Sequence, residues 1–391
     1  MVNEDSNIGP GFALHRTDNH VRLLLPLSMI AEIDAQTERS ELAVAAKKAS
    51  EKAALVAAEK AQKEAPKPKS VFPPTRFLKP GPRDIEIFSE PAIETFLDNF
   101  DAMDSSTQRA AAKVYSNLTT DRGRYRTIPT INRRKVLSLA SQFENMAEPI
   151  EHFVREIDLM AHLPCADFFL PPVLLLGDPG IGKTAFAGAL AKALGLPYSK
   201  IKGSEPSFTL TGSHPSWSRA APGMLIKQMS QYDSAAPLFL VDEMEKLSGE
   251  QYPIENALLD LLEPENARHF KDEFFQIELD VSHAVWILTA NTIERVSAPL
   301  LSRMRVFNIP TPSVEQRRRI IRNDFGSLCK RTGVEAKTSA IDVMTLAERV
   351  DIDLRQLTRI VHDSFITALR HKDRIAKFDL PPAVKPSMGF M

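Results

Sequence analysis

One octapeptide constrains this chain more than any other feature. Gly177-Asp178-Pro179-Gly180-Ile181-Gly182-Lys183-Thr184 fits the pattern G-x-x-x-x-G-K-[ST]. Glycines at these spacings let the backbone turn tightly and aim its N–H groups inward, which makes a cradle for phosphate oxygens. Lys183 has the reach to meet β- and γ-phosphates, and the Thr184 hydroxyl is a hard oxygen ligand of the kind Mg²⁺ prefers. Such a loop needs a buried strand before it and a helix after it whose positive end faces the same phosphates. Both are legible: the run at 168–176 ends in Val173-Leu174-Leu175-Leu176, and 184–194 is rich in Ala and Leu. The expected ligands are ATP and Mg²⁺.

Two further apolar runs follow. Pro237-Leu238-Phe239-Leu240-Val241 ends in the carboxylates Asp242 and Glu243, and Ala284-Val285-Trp286-Ile287-Leu288-Thr289 ends just before Asn291. Short continuous runs of this kind suit central strands of a parallel sheet, buried on both faces. With helical stretches between them they predict an α/β fold, a P-loop NTPase core with a parallel sheet. After Pro310 the pattern is helical at 314–328, 340–350 and 354–369, which predicts a small helical lid. Upstream, apolar residues at three- and four-residue spacing over 136–160 predict a helical region that leads into the core.

The strand ends carry the chemistry. Asp242 is placed to hold Mg²⁺ through water, and Glu243 to orient and polarise an attacking water. Asn291, at the next strand end, reaches the γ-phosphate or that water. Taken singly, acidic strand ends and turn asparagines are common; the phosphate loop upstream gives them their meaning. Arg303 and Arg305 follow in Ser302-Arg303-Met304-Arg305, and Arg355 opens a lid helix in Asp353-Leu354-Arg355. A guanidinium suits stabilising a transferring phosphoryl group. Neither spacing nor composition says whether one of these arginines faces its own nucleotide or a neighbour's, and each also reads as a surface charge.

The rest of the chain divides by texture. Residues 1–36 carry no pattern that assigns a role, and Leu23-Leu24-Leu25-Pro26-Leu27 reads as a packing segment rather than a signal peptide. Residues 37–83 read as an Ala/Glu/Lys-rich helix or disordered spacer followed by a proline-rich linker. The remaining divisions are a helical region at 84–165, the core at 166–312, the lid at 313–376 and a tail at 377–391. A formal net charge of -1 argues against a dedicated nucleic-acid binder. The two cysteines, Cys165 and Cys329, are too few for a disulfide framework or a zinc site. No run approaches the roughly 18 apolar residues that span a membrane, so the expected location is the cytoplasm, with no membrane partner.

Together these motifs resemble the AAA+ ATPase module of the Lon protease family, from about residue 150 to 370. Beyond the phosphate loop, the likeness rests on Ala257-Leu258-Leu259-Asp260-Leu261-Leu262-Glu263-Pro264-Glu265-Asn266, on His269-Phe270-Lys271-Asp272, and on Pro299-Leu300-Leu301-Ser302-Arg303-Met304. The resemblance implies that Asn291 is the sensor-1 residue, Arg303 rather than Arg305 the arginine finger, and Arg355 the sensor-2 arginine. It implies a homo-oligomeric ring, a hexamer by family pattern, acting on a protein substrate or a separate partner protein. Trp217 falls on the aromatic position of the family's pore loop, ahead of Pro222-Gly223; Ser218 stands where the family has an aliphatic, and Trp217 also reads as a packed surface aromatic. After His371 the chain continues only to Met391, with Pro381, Pro382 and Pro386 in that stretch, so no intrinsic peptidase activity is expected. Two other classes stay open: a nucleic-acid-associated AAA+ loader, and a scaffold whose nucleotide binding, not turnover, sets assembly.

Overall fold

The computed structural model describes residues 12–16, 22–26, 32, 81–118, 124–217, 219–246, 253–371 and 374–382. The Ala/Glu/Lys-rich segment and the proline-rich stretch up to residue 80 lie outside the described residues, as do Ser218 and residues 383–391. The chain forms two units, 1–73 and 74–391. In the first, residues 23–26 of the leucine run lie in a strand, Arg22–Pro26, paired antiparallel with Phe12–Arg16 with Leu24 in register with Leu14.

The second unit is built on a five-stranded parallel sheet. In chain order its strands are Val173–Leu176, Tyr198–Lys202, Leu238–Asp242, Val285–Ala290 and Arg305–Asn308; across the sheet the order is fifth, first, fourth, third, second. The three apolar runs are the three central strands, as burial on both faces requires. The two edge strands escape an apolar-run reading. Tyr198–Lys202 alternates exposed and buried residues, and Arg305–Asn308 buries only Phe307.

Alternation sorts each central strand between two cores. Val173, Leu175, Leu238, Leu240, Val285 and Ile287 face one side, where they meet the helices Ala147–Met160 and Lys183–Leu194. Leu174, Phe239, Val241, Trp286 and Leu288 face the other, against the helices Met224–Gln231 and Ile254–Leu261. There Trp286 stacks on Phe239, its partner in the neighbouring strand, with ring centroids 4.9 Å apart. Because all five strands run parallel, their C-terminal ends lie along one edge of the sheet, and the ends of the central strands carry the candidate site residues.

The helical pattern over 136–160 is interrupted. Arg133–Ser138 gives way to two 3-10 turns, Leu139–Ser141 and Glu144–Met146, before Ala147–Met160 begins. Phe143 leaves helical geometry at φ -124 and ψ 62. The break lets buried Asn145 donate to the carbonyls of Ile181 and Pro310, at 3.1 and 3.2 Å. One side chain thus ties the phosphate loop to the segment that enters the lid.

Three helices form that lid: Val314–Thr332, Ala340–Glu348 and Leu354–Arg370. Each starts on a side-chain cap, from Ser313, Ser339 and Asp353 in turn. They share a separate core of Ile321, Phe325, Val343, Leu346, Leu357, Val361 and Phe365. Arg317 is fully buried and donates to the carbonyls of Ala347, Arg349 and Ile352 at 2.8–2.9 Å. It therefore fixes the turn that delivers Asp353 and Arg355. Among the described residues no helix is long and apolar enough to cross a membrane.

Asp272 is a further buried ionisable group, fully shielded from solvent. It ends the strand Phe270–Asp272 of an antiparallel ribbon completed by Ile277–Leu279. Oδ1 accepts from the N–H groups of Phe274 and Phe275 at 3.1 and 2.8 Å, and Oδ2 from that of Gly223 at 3.4 Å. Burial pushes its carboxyl up to about 7 from the ordinary 3.8, against these hydrogen bonds. A carboxyl whose folded-state value is raised binds its proton more tightly in the folded chain. Its contribution is whole below the unfolded value and is lost as pH rises towards the folded one. Asp272→Asn mimics the protonated group and keeps the Oδ1 acceptor. The stability of the variant relative to wild type, from urea unfolding, is expected to rise by a few kcal/mol (order of magnitude) between about pH 4 and 7. A difference that does not change with pH would show that Asp272 does not titrate in this window.

Candidate nucleotide site

The phosphate loop runs from the end of Val173–Leu176 to the start of Lys183–Leu194. Gly180 has φ +77, a backbone region L side chains rarely adopt, and a Cβ there would lie 2.7 Å from Cβ of Asp353. The lid helix comes this close because its Leu354 N–H donates to the Gly180 carbonyl at 3.1 Å. Gly182, at φ +100, sits at the N-terminal cap of the helix that follows. The loop also engages the approach to the lid through Asp178, whose carboxylate accepts from the Thr311 hydroxyl at 3.2 Å.

Lys183 is 7% exposed. Its ammonium donates to the carbonyls of Gly177 and Asp178, at 2.5 and 2.9 Å, and to Oδ1 of Asn291 at 3.0 Å. Burial lowers its pKa, while the carboxylates of Glu245, Asp242 and Asp178 act in the opposite sense. The Thr184 hydroxyl donates to the Asp242 carboxylate, 3.2 Å from Oδ1 and 3.1 Å from Oδ2. Asp242 also accepts from Thr289 Oγ1 and lies 2.5 Å from the Lys200 ammonium. Burial alone would push its carboxyl up, but the hydrogen bonds and charge of Lys200, with Thr289 and Thr184, hold it below the usual carboxylate value. Asp242 is thus an ionised acceptor at the end of a buried strand.

These groups share one cavity of ≈ 1200 Å³ with Pro179, Ile181, Glu243, Asn291 and Arg355. The Thr184 hydroxyl beside the Asp242 carboxylate is a hard-oxygen pair that fits Mg²⁺, a cation that keeps water and shares phosphate oxygens. Among the described residues no cluster of three or more His, Cys, Asp or Glu side chains could hold a metal.

Other residues fall at the rim or outside. Glu243 has φ 63, and its carboxylate pairs with Lys246 at 3.0 Å. Arg303 does not line the cavity; its Nη1 donates to the Pro299 carbonyl at 2.9 Å. Its Nε lies 3.6 Å from Glu263, beyond hydrogen-bond length, and has no acceptor. Arg305 is exposed, with its guanidinium 5.8 Å from the Phe307 ring centre. Trp217 is 43% exposed and meets Phe208 edge-on at 6.0 Å between ring centres.

Sequence reasoning missed several residues. Phe143 and Asn145, from the interrupted helix, line the cavity together with Ile320, Asp324 and Thr358 of the lid. Glu245 was hidden in plain sight, two residues beyond the Asp242-Glu243 pair. Its Oε2 accepts from the Asn291 backbone at 3.1 Å and its Oε1 from the Asn291 amide nitrogen at 2.5 Å. Glu245 thereby sets which way the amide faces, and leaves Asn291 Oδ1 towards Lys183. The acidic spacing Asp242-Glu243-Met244-Glu245 was the available signal.

Residues 173–311 match the model of the ATPase family associated with various cellular activities (AAA). The chain is similar to Lon protease 1 of Borreliella burgdorferi, 34% identical over 141 residues that cover 35% of this chain and 17% of that protein. It is 31% identical to the Lon protease of Neorickettsia sennetsu over 189 residues, 47% of this chain and 22% of that one. With Lon protease 1 of Thermus thermophilus the figures are 33% over 176 residues, 44% and 22%. The chain spans about a fifth of the length of these curated relatives.

Removing Glu245 frees the Asn291 amide to turn over. In Glu245→Ala, ATP turnover at saturation is expected to fall by about ten- to a hundredfold, with ATP affinity changed by less than about threefold. Glu245→Gln keeps one acceptor and should lose less. Phosphate release from Glu245→Ala at the wild-type rate would remove Glu245 from any positioning role.

Proposed function

Starting from a Lon-like AAA+ module at residues 173–311, we propose that this chain is an ATP-hydrolysing motor that works as a ring and remodels protein chains. The observation that carries the reading is the convergence in one cavity of the phosphate loop, the Thr184–Asp242 pair and the Lys183–Asn291 contact. Arg303 lies outside that cavity with an N–H in want of an acceptor. A cavity with its own loop, acid and amide, and a finger arginine placed elsewhere, suits a site completed by a neighbour.

Each side chain then has a task. The loop N–H groups and Lys183 bind the triphosphate, with Lys183 leaving the carbonyls of Gly177 and Asp178 for the γ-phosphate. Thr184 and Asp242 hold Mg²⁺, which when bound offsets charge on the β- and γ-phosphates. Glu243 leaves its ion pair with Lys246 to orient and polarise water. Asn291, turned by Glu245, offers an acceptor oxygen to a proton of that water. Arg355 closes on the phosphates from the lid, and Arg303 reaches the γ-phosphate of the adjacent subunit. Trp217, on the loop between Gly212 and Gly223, makes the non-specific aromatic contact with a threaded chain, and Phe208 backs it.

The test is ATP turnover against protein concentration, with molecular size followed in parallel. Turnover per subunit is expected to rise as the protein assembles. Glu243→Gln is expected to bind ATP yet turn over about a hundredfold more slowly or worse. Arg303→Ala should assemble normally and lose about a thousandfold. A monomer whose rate ignores both concentration and Arg303 would remove the ring from this function while leaving the ATP site standing.

A further inference from the structure

The metal end of the cavity contains a second lysine that the tasks above leave unused. Lys200 lies in the middle of the edge strand Tyr198–Lys202, in register with Leu240, two residues ahead of Asp242. Strand alternation puts it on the exposed side with Tyr198 and Lys202. From there its ammonium reaches to 2.5 Å from Asp242 Oδ2. Lys200 lines the same cavity as Thr184, Lys183 and Arg355.

That contact leaves Asp242 fully engaged. Oδ1 accepts from Thr289 and Thr184, and Oδ2 from Lys200 and Thr184. A hydrated Mg²⁺ held by Thr184 and Asp242 needs one of those oxygens for its water. An ammonium and a divalent cation sharing one carboxylate repel each other strongly at such separations. The Lys200 side chain is 42% exposed, so it has room to withdraw, whereas that of Asp242 is 10% exposed and is fixed by its strand.

We propose that Lys200 is a resident cation at the metal end of the cavity, sharing Asp242 with Mg²⁺. Without metal, its ammonium neutralises Asp242 and faces the phosphates, so the chain holds nucleotide with little help from Mg²⁺. With metal, Mg²⁺ has to displace the ammonium, so metal binds more weakly than it would to Thr184 and Asp242 alone. The proposal rests on the cavity being an ATP site, and adds how that site divides charge between protein and metal.

The experiment titrates a fluorescent ATP analogue into the full chain across free Mg²⁺, from chelator to millimolar, at fixed ionic strength. Wild type is compared with Lys200→Met and Lys200→Arg. Mn²⁺ binding in the presence of the analogue, read by electron paramagnetic resonance, gives metal affinity without relying on hydrolysis. Lys200→Met is expected to lose about tenfold more affinity than wild type when metal is chelated, and to bind metal about tenfold more tightly. Lys200→Arg keeps the charge and should follow wild type. Superimposable metal dependence of wild type and Lys200→Met would overturn the proposal while leaving the ATP site intact. If no protein bound the analogue at any metal concentration, the ATP reading itself would fall, and this proposal with it.

Discussion

An ammonium buried among backbone carbonyls is the constraint on which the rest of this molecule depends. Lys183 is taken out of water, a costly step unless its hydrogen bonds are supplied. Gly177 and Asp178 supply two of them, which fixes the shape of the loop. Asn291 supplies the third, and Glu245 holds Asn291 in the orientation that does so. Each partner sits at the end of a central strand or just beyond it, so the parallel sheet sets their spacing. The two cores fix the sheet, and the sheet brings the strand ends within reach of the lysine.

Charged side chains gather at this end of the sheet, from the buried floor of the cavity to its exposed rim. Lys183 and Lys200 face Asp242 and Glu245, with Glu243, Lys246 and Arg355 at the margin. Asp242 and Glu245 offset the lysine charge, and hydroxyls of Thr184 and Thr289 take up lone pairs that would otherwise lack donors. A triphosphate bound as proposed would redraw these contacts. Lids, loops and strand ends that exchange partners in this way are suited to passing a change at the phosphates into movement elsewhere.

Much of this was readable in the sequence, and the unread part has a physical reason. The loop, the three apolar strands and the acid at the end of one of them are local patterns, because each depends on neighbours in the chain. Tyr198–Lys202 hid because an edge strand needs only alternate residues buried, and its exposed positions include two lysines. Asn145 hid because its importance lies in reaching Ile181 and Pro310, 36 and 165 residues away. The helical spacing over 136–160 gave no sign of the break, since Val136, Leu139, Ile150 and Phe153 keep their apolar positions on either side of it. Nothing in the run Arg317-Arg318-Arg319 singles out its first residue, yet the fold buries Arg317 on three carbonyls.

The loop that carries Trp217 has a mechanical character of its own. Its stem is closed by three contacts between Ser213 and Ala221: the Ser213 N–H donates to the Ala221 carbonyl at 3.1 Å, and the Ser213 hydroxyl accepts from the Ala221 N–H at 2.9 Å and donates to its carbonyl at 3.4 Å. Below the stem, Asp272 accepts from Gly223, and the Glu273 N–H donates to the Thr211 carbonyl at 2.8 Å. The loop is therefore clamped at its stem to the ribbon beneath it. Under the proposed role, a load on the indole would pass through these hydrogen bonds into the ribbon. In the proposed motor, a loop clamped in this way would travel with the module that carries it and not by its own slack.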